Sequence, residues 1–223
     1  MNPKKKHEMT QEEIRSLRIK VCGMRDPENI RQVAALGIDY VGFVFYPPSP
    51  RYAVPLPPEA LAAVPEGVKK VGVFVDENPC TVTRRAERYG LDYVQLHGDE
   101  TPAYCRRIRE ESHAGIIKAI AVKGPPDYDE LAHYEEVVDL FLFDTATAAR
   151  GGSGTAWDHR LLATYPLHTP WLLSGGIDRN ILETLPHLTL PGLTGLDLNS
   201  RFETASGIKD IEKLRNFLNQ LRA

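Results

Sequence analysis

From Arg18 onward, short runs of apolar and β-branched residues alternate with segments whose apolar positions recur every three or four residues. Short runs bounded by turn residues read as strands, and the longer periodic segments as amphipathic helices. The pattern predicts strands over Arg18–Gly23, Tyr40–Phe45, Lys70–Val75, Tyr93–Leu96, Gly115–Ile120, Val137–Phe143, Trp171–Leu173 and Gly195–Leu198. Between them it predicts helices over Pro27–Leu36, Pro58–Val64, Pro79–Tyr89, Pro102–Glu110, Pro125–Tyr134, Arg179–Leu185 and Ile208–Leu221. Several helices open on proline, whose missing N–H costs nothing in the first turn. Asp26 and Thr101 stand where N-caps belong. Residues 1–16 read as a leader, flexible or holding a short helix at Gln11-Glu12-Glu13-Ile14, and residues 17–223 as one domain.

Strand–helix alternation implies parallel pairing through right-handed crossovers. Two architectures satisfy it: a closed (β/α)₈ TIM barrel and an open doubly wound sheet. The barrel fits better. Eight units of about 25 residues fill the chain, and the glycine-rich loops fall after strands six to eight. A dinucleotide fold would place its G-x-G-x-x-G after strand one, where this chain has Cys22-Gly23-Met24.

Composition narrows the function classes. The 223 residues are 42% hydrophobic and 26% charged, with a formal net charge of −3. Without a basic, aromatic-bearing stripe, no nucleic-acid partner is expected, and Lys4-Lys5-Lys6 reads as a solvated tail. No apolar run reaches the ~18 residues of a membrane span, and none follows the lysines as a secretory signal would. Cys22, Cys80 and Cys105 are an odd number without C-x-x-C spacing, so neither a disulfide framework nor a metal site is expected, and a reducing cytoplasmic setting is.

Two residues at strand ends carry candidate chemistry. Cys22 closes the first strand and Asp144 follows Leu140-Phe141-Leu142-Phe143 in the sixth. In a parallel barrel both rise from the C-terminal rim, where barrel enzymes work. A thiol of pKa about 8.5 facing a carboxyl raised by apolar walls makes a base and an acid. A lone cysteine is more commonly a small buried hydrophobe, and an aspartate after a strand can simply cap a turn. Asp197, in strand eight, is a rival acid or a structural partner. Ser174-Gly175-Gly176, Gly152-Ser153-Gly154 and Asn199-Ser200 line the same rim with backbone N–H groups suited to an anion. A phosphorylated small molecule is the expected ligand.

In order and spacing these stretches resemble one family, phosphoribosylanthranilate isomerase of tryptophan biosynthesis. The resemblance rests on Lys20-Val21-Cys22-Gly23-Met24, Gly42-Phe43-Val44-Phe45-Tyr46, Ser49-Pro50-Arg51-Tyr52, Gly72-Val73-Phe74-Val75 and Val94-Gln95-Leu96-His97-Gly98-Asp99-Glu100. It continues through Phe143-Asp144-Thr145, Gly151-Gly152-Ser153-Gly154, Leu173-Ser174-Gly175-Gly176-Ile177 and Gly207-Ile208-Lys209-Asp210. It implies a cofactor-free Amadori rearrangement, an aldose–ketose isomerisation, with Cys22 as general base, Asp144 as general acid and Arg51 holding the anthranilate end. A guanidinium suits that end because it both stacks on a ring and pairs with a carboxylate. Gln95 is expected to add a polar contact, and His97 to be structural. The chain departs from the family at Asn199-Ser200-Arg201-Phe202-Glu203, where Ser-Ser-Gly-Val-Glu is usual; arginine replaces a glycine, which puts the detailed phosphate contacts in question. The isomerase of histidine biosynthesis, a rival, uses aspartates at strands one and five, which here end in Cys22 and Ala119-Ile120-Ala121. A silent phosphate-binding barrel is the non-enzymatic alternative. Monomer, homodimer and association with neighbouring pathway enzymes all stay open.

Overall fold

Every second side chain of a strand points to the same face, and here that alternation fills the inside of a cylinder. In the computed structural model, which describes residues 8–54, 56–62, 64–145 and 157–223, eight parallel strands close in chain order. They are β1 (Arg18–Val21), β2 (Tyr40–Val44), β3 (Lys69–Phe74), β4 (Tyr93–Leu96), β5 (Gly115–Val122), β6 (Leu140–Thr145), β7 (Trp171–Leu173) and β8 (Leu193–Leu198). Pairing of β1 with β8, Lys20 opposite Asp197, completes the ring. The expected (β/α)₈ TIM barrel is the observed fold.

Tyr40, Val71, Ile117, Ala119, Leu140, Leu142 and Leu172 pack inside the barrel. The alternate positions, among them Ile19, Val41, Phe43, Val94, Ile116, Phe141 and Phe143, form the larger core with the outer helices. Those helices are α1 (Gln11–Arg15), α2 (Pro27–Ala34), α3 (Glu59–Ala62), α4 (Pro79–Tyr89), α5 (Pro102–Ser112), α6 (Tyr128–Ala132), α7 (Ile181–Thr184) and α8 (Ile211–Arg222). Among the described residues no helix is long and apolar enough to cross a membrane. The expected caps form: Asp26 accepts from the Asn29 N–H and Thr101 from that of Tyr104. In the N-terminal segment Thr10 and Glu13 make a reciprocal capping box, and Ile14 is buried.

Most boundaries shift by a residue or two, and three differences from the pattern have an identifiable cause. Val137 and Val138 are buried but belong to the turn after α6, both donating to the Tyr134 carbonyl. Apolar continuity does not separate a buried turn from a strand, so β6 starts later and contains Asp144. Pro186 ends α7 early and passes the chain into a 3₁₀ turn over Leu185–His187, as expected where an N–H is missing. Before α8, whose N-cap is Asp210, two short antiparallel strands form, β9 (Glu203–Ala205) and β10 (Ile208–Lys209). Neither was foreseen.

One ion pair pins the outer wall between β4 and β5. Lys118, buried, donates to Glu100 at 3.0 Å and to the carbonyls of Gly98 and Leu96. Glu100 also accepts from the backbone N–H groups of Asp76 and Gly98, at 2.9 Å each. Removing one member of such a pair strands the other's charge. Lys118→Met is therefore expected to cost ~3–5 kcal/mol in urea unfolding, with part recovered by Lys118→Met/Glu100→Gln. Equal stability of wild type and Lys118→Met would remove this pair from the list of structural supports.

Candidate active site

Cys22 leaves β1 with its N–H on the Leu198 carbonyl at 2.9 Å, and its side chain is buried. Gly23 follows with φ of +80°, turning the chain outward. A Cβ there would lie 2.6 Å from Arg51 Cδ and 2.9 Å from Asn199 Oδ1. Glycine at this position lets the arginine stem and the β8 loop close over the thiol strand.

Arg51, 8% exposed, is held by Glu203 through Nε at 2.9 Å and Nη2 at 2.6 Å. Glu203 in turn accepts from Lys209 Nζ at 2.6 Å and from the Gly207 N–H at 3.0 Å. Lys209 Nζ also donates to Asn199 Oδ1 at 2.8 Å. Burial would raise the Glu203 carboxyl, but the hydrogen bonds from Arg51 and Lys209 outweigh it and hold it below its ordinary value. The guanidinium is thus fixed along one edge, and Nη1 has no partner among the described residues.

Across the barrel, Asp144 lies near the end of β6 and is 7% exposed. Its Oδ1 accepts from the Thr145 N–H at 2.8 Å, and its Oδ2 stands 3.5 Å from His97 Nε2. Gln95 Nε2 meets His97 Nδ1 at 3.1 Å. With Gln95 donating, His97 carries its proton on Nε2, toward the carboxylate. Toward the C-terminal end, the inward-facing positions of the intervening strand are the small Ala119 and Ala121, which leaves the imidazole room to reach β6. His97, read from the sequence as structural, therefore sits against the acid candidate, and Gln95 is committed to His97 through one amide atom. Gln95 Oε1 is buried without a partner in the described structure.

The loops expected to hold an anion divide. Gly175 and Gly176 adopt φ of +92° and +67°, and a Cβ on Gly175 would fall 2.8 Å from the Thr145 nitrogen and 3.1 Å from Asp144 Oδ1. The loop after β7 is thus packed directly on Asp144. A cavity of about 350 Å³ beside it is lined by Trp157, Gly175, Gly176, Asp178, Asn180 and Arg201. The loops after β7 and β8 therefore both border this space, with Arg201 on its wall and Ser200 in the 3₁₀ turn beside it. Ser174 turns inward instead, its hydroxyl 3.5 Å from Asp197 Oδ2. Gly152, Ser153 and Gly154 lie outside the described residues. Among the described residues no group of three or more His, Cys, Asp or Glu side chains could hold a metal ion.

The missed residues are Glu203, Lys209 and the contact role of His97. Glu203 and Lys209 are far from Arg51 in sequence, and only the β9–β10 ribbon brings them to it.

Comparison with known proteins gives one consistent result. The family model for N-(5'phosphoribosyl)anthranilate (PRA) isomerase matches residues 19–220. An N-(5'-phosphoribosyl)anthranilate isomerase of Parabacteroides distasonis is 44% identical over 205 residues, covering 91% of this chain and 92% of that one. The phosphoribosyl anthranilate isomerase of Thermotoga maritima superposes with a TM-score of 0.82 at 33% identity, covering 92% and 98% of the two chains. Another phosphoribosyl anthranilate isomerase, solved in complex with reduced 1-(o-carboxyphenylamino)-1-deoxyribulose 5-phosphate, superposes at 0.76 with 30% identity, covering 92% and 98%.

The Glu203 linkage has a pH signature. A carboxyl held below its ordinary value, 4.5, contributes stability that is complete above that pH and is lost as pH falls through the lower folded value. Glu203→Gln should be less stable than wild type at neutral pH, and the gap in urea unfolding should shrink as pH drops below about 4.5. A gap independent of pH would mean that the ionised pair is not what Glu203 contributes.

Proposed function

The chain belongs to the N-(5'-phosphoribosyl)anthranilate isomerase family, and we propose that it performs this rearrangement with Cys22 as general base and Asp144 as general acid. The observation that carries the assignment is their placement at the C-terminal ends of β1 and β6 of one barrel. Arg51 is fixed above the thiol strand, and the Gly175-Gly176 loop is packed on the carboxyl.

Asp144 in its acid form protonates the furanose ring oxygen, and the C1′–O bond breaks to give the Schiff base with the anthranilate nitrogen. The thiolate of Cys22 then removes the proton from C2′. The electron pair moves into the C1′–C2′ bond, giving an enolamine and a neutral thiol. Tautomerisation yields the 2′-ketone, 1-(2-carboxyphenylamino)-1-deoxyribulose 5-phosphate. His97 Nε2, 3.5 Å from Asp144 Oδ2, would favour the carboxylate left after the first transfer. Arg51 Nη1, the edge not taken by Glu203, is the donor for the anthranilate carboxylate. The Gly175-Gly176 and Asn199-Ser200 loops hold the phosphate end, with Gly152, Ser153 and Gly154 as further proposed contacts. None of these steps calls for a redox or metal partner, because the substrate is both oxidised at C2′ and reduced at C1′.

Loss of anthranilate-type fluorescence on mixing with fresh substrate tests the assignment. Wild type should turn over, and Cys22→Ser and Asp144→Asn should each lose roughly 10²–10⁴ in kcat. Full activity in Cys22→Ser would sink the base, and full activity in Asp144→Asn the acid. No turnover by folded wild type would favour the silent phosphate-binding barrel.

A further inference from the structure

Lys20 and Asp197 form an ion pair inside the barrel that the isomerisation leaves without a task. Lys20 Nζ lies 2.9 Å from Asp197 Oδ1, and the two residues are 0% and 6% exposed. A buried pair of this kind rarely stabilises a fold more than apolar residues of the same volume would. Its position suggests another reason. Alternation along β1 places Lys20 and Cys22 on the same inward face, and the parallel register sets Asp197 opposite Lys20.

The groups around the thiol come from few elements. β1 supplies Lys20, β8 supplies Asp197, and β10 supplies Lys209. β2 supplies only Gly42, where an added Cβ would fall 2.7 Å from Cys22 Sγ, so backbone alone fits there. Asp144 and His97 act on Asp197 from across the barrel, and the Ser174 hydroxyl lies 3.5 Å from it. Lys209 is committed to Glu203 and Asn199. Lys20 is therefore the ammonium on the same strand face as the sulfur, and it is sealed beneath it.

We propose that Lys20 is a positioning residue for the base: its ammonium, anchored by Asp197, stabilises the Cys22 thiolate in a site too buried to do so by hydration. The inference rests on Cys22 being the base. Burial pushes the thiol up, and Lys20 is the strongest influence pulling it back, ahead of Lys209 and against Asp197. Burial equally opposes the Lys20 charge, but Asp197 and Cys22 outweigh it and keep the ammonium protonated. The arrangement also settles the charge balance of proton abstraction. Before it, one cation faces two anions; after the C2′ proton reaches Sγ, the Lys20–Asp197 pair remains neutral by itself.

The test reads ionisation of the thiol, separately from turnover. In the full chain carrying Cys80→Ser, which removes the exposed cysteine, alkylation of Cys22 by iodoacetamide is followed across pH by peptide mass spectrometry. Lys20→Met should move the alkylation midpoint up by about one unit or more and slow alkylation roughly tenfold at neutral pH. The acid limb of kcat/KM should move with it. Should Lys20→Met fail to fold because Asp197 is stranded, Lys20→Met/Asp197→Asn carries no stranded charge and should still shift upward, by less than Lys20→Met, because the carboxylate that opposes the thiolate is gone as well. Lys20→Arg, which keeps the cation, should hold the midpoint near that of wild type. A folded variant lacking Lys20 with an unmoved midpoint would overturn the proposal, as would Lys20→Arg shifted as far as Lys20→Met. Should Cys22→Ser remain fully active, the base assignment falls, while the midpoints still decide whether Lys20 governs the thiol.

Discussion

Closure of β1 onto β8 is the constraint on which the rest of the molecule depends. Until those strands pair, Cys22 is the end of an isolated strand, and Lys20 and Asp197 are charges 177 residues apart. The parallel register that joins them puts Lys20 against Asp197 and Val21 against Leu198. The next backbone hydrogen bond, Cys22 to the Leu198 carbonyl, fixes the thiol at the rim. Barrel closure and placement of the proposed base are thus one event, and anything that slips the β1–β8 register by one residue turns the thiol toward the helices.

The interior of the barrel is layered by chemistry. Ile117, Ala119, Leu140, Leu142 and Leu172 form a dry band, and polar side chains gather toward the C-terminal rim. Two buried charge networks stand there. Lys20–Asp197 lies under the thiol, while Arg51–Glu203–Lys209–Asn199 surrounds the loop above it. Each costs desolvation that apolar packing would avoid, and each orients a group at the mouth. The fold tolerates this because apolar side chains from the strands and outer helices supply the burial that dominates stability.

Much of this was legible in the chain because it depends on local pattern. The strands Tyr93–Leu96 and Trp171–Leu173 and the helix Pro79–Tyr89 follow the hydrophobic period residue for residue. Proline and the caps of Asp26 and Thr101 fixed where helices begin. What was not legible depends on long-range contact. Val137 and Val138 look like strand residues because burial under α6 demands the same side chains as a strand does. The β9–β10 ribbon is short and mixed in polarity, and its purpose, bringing Glu203 and Lys209 to Arg51, exists only in three dimensions. His97 shows the same limit from the other side. Its place two residues after Gln95 put both on one face, but only the small Ala119 and Ala121 of the next strand open the way to Asp144.

The two inward-facing aspartates near the rim are distinguished by their partners. Asp197 is paired with a lysine that has no solvent exposure, and protonating it would leave that ammonium buried beside a neutral acid. It also lies below the level of Cys22, opposite Lys20 in the register. Asp144 has a backbone N–H on one oxygen and an imidazole 3.5 Å from the other, with no lysine or arginine paired to it among the described residues. It adjoins the Gly175 loop, the proposed seat of the phosphorylated end of the substrate. A group that must give up a proton and regain it each cycle needs an environment of that kind. The contrast between the two sites supports the proposal that proton transfer falls to Asp144 and charge anchoring to Asp197, even though both side chains point into the same barrel.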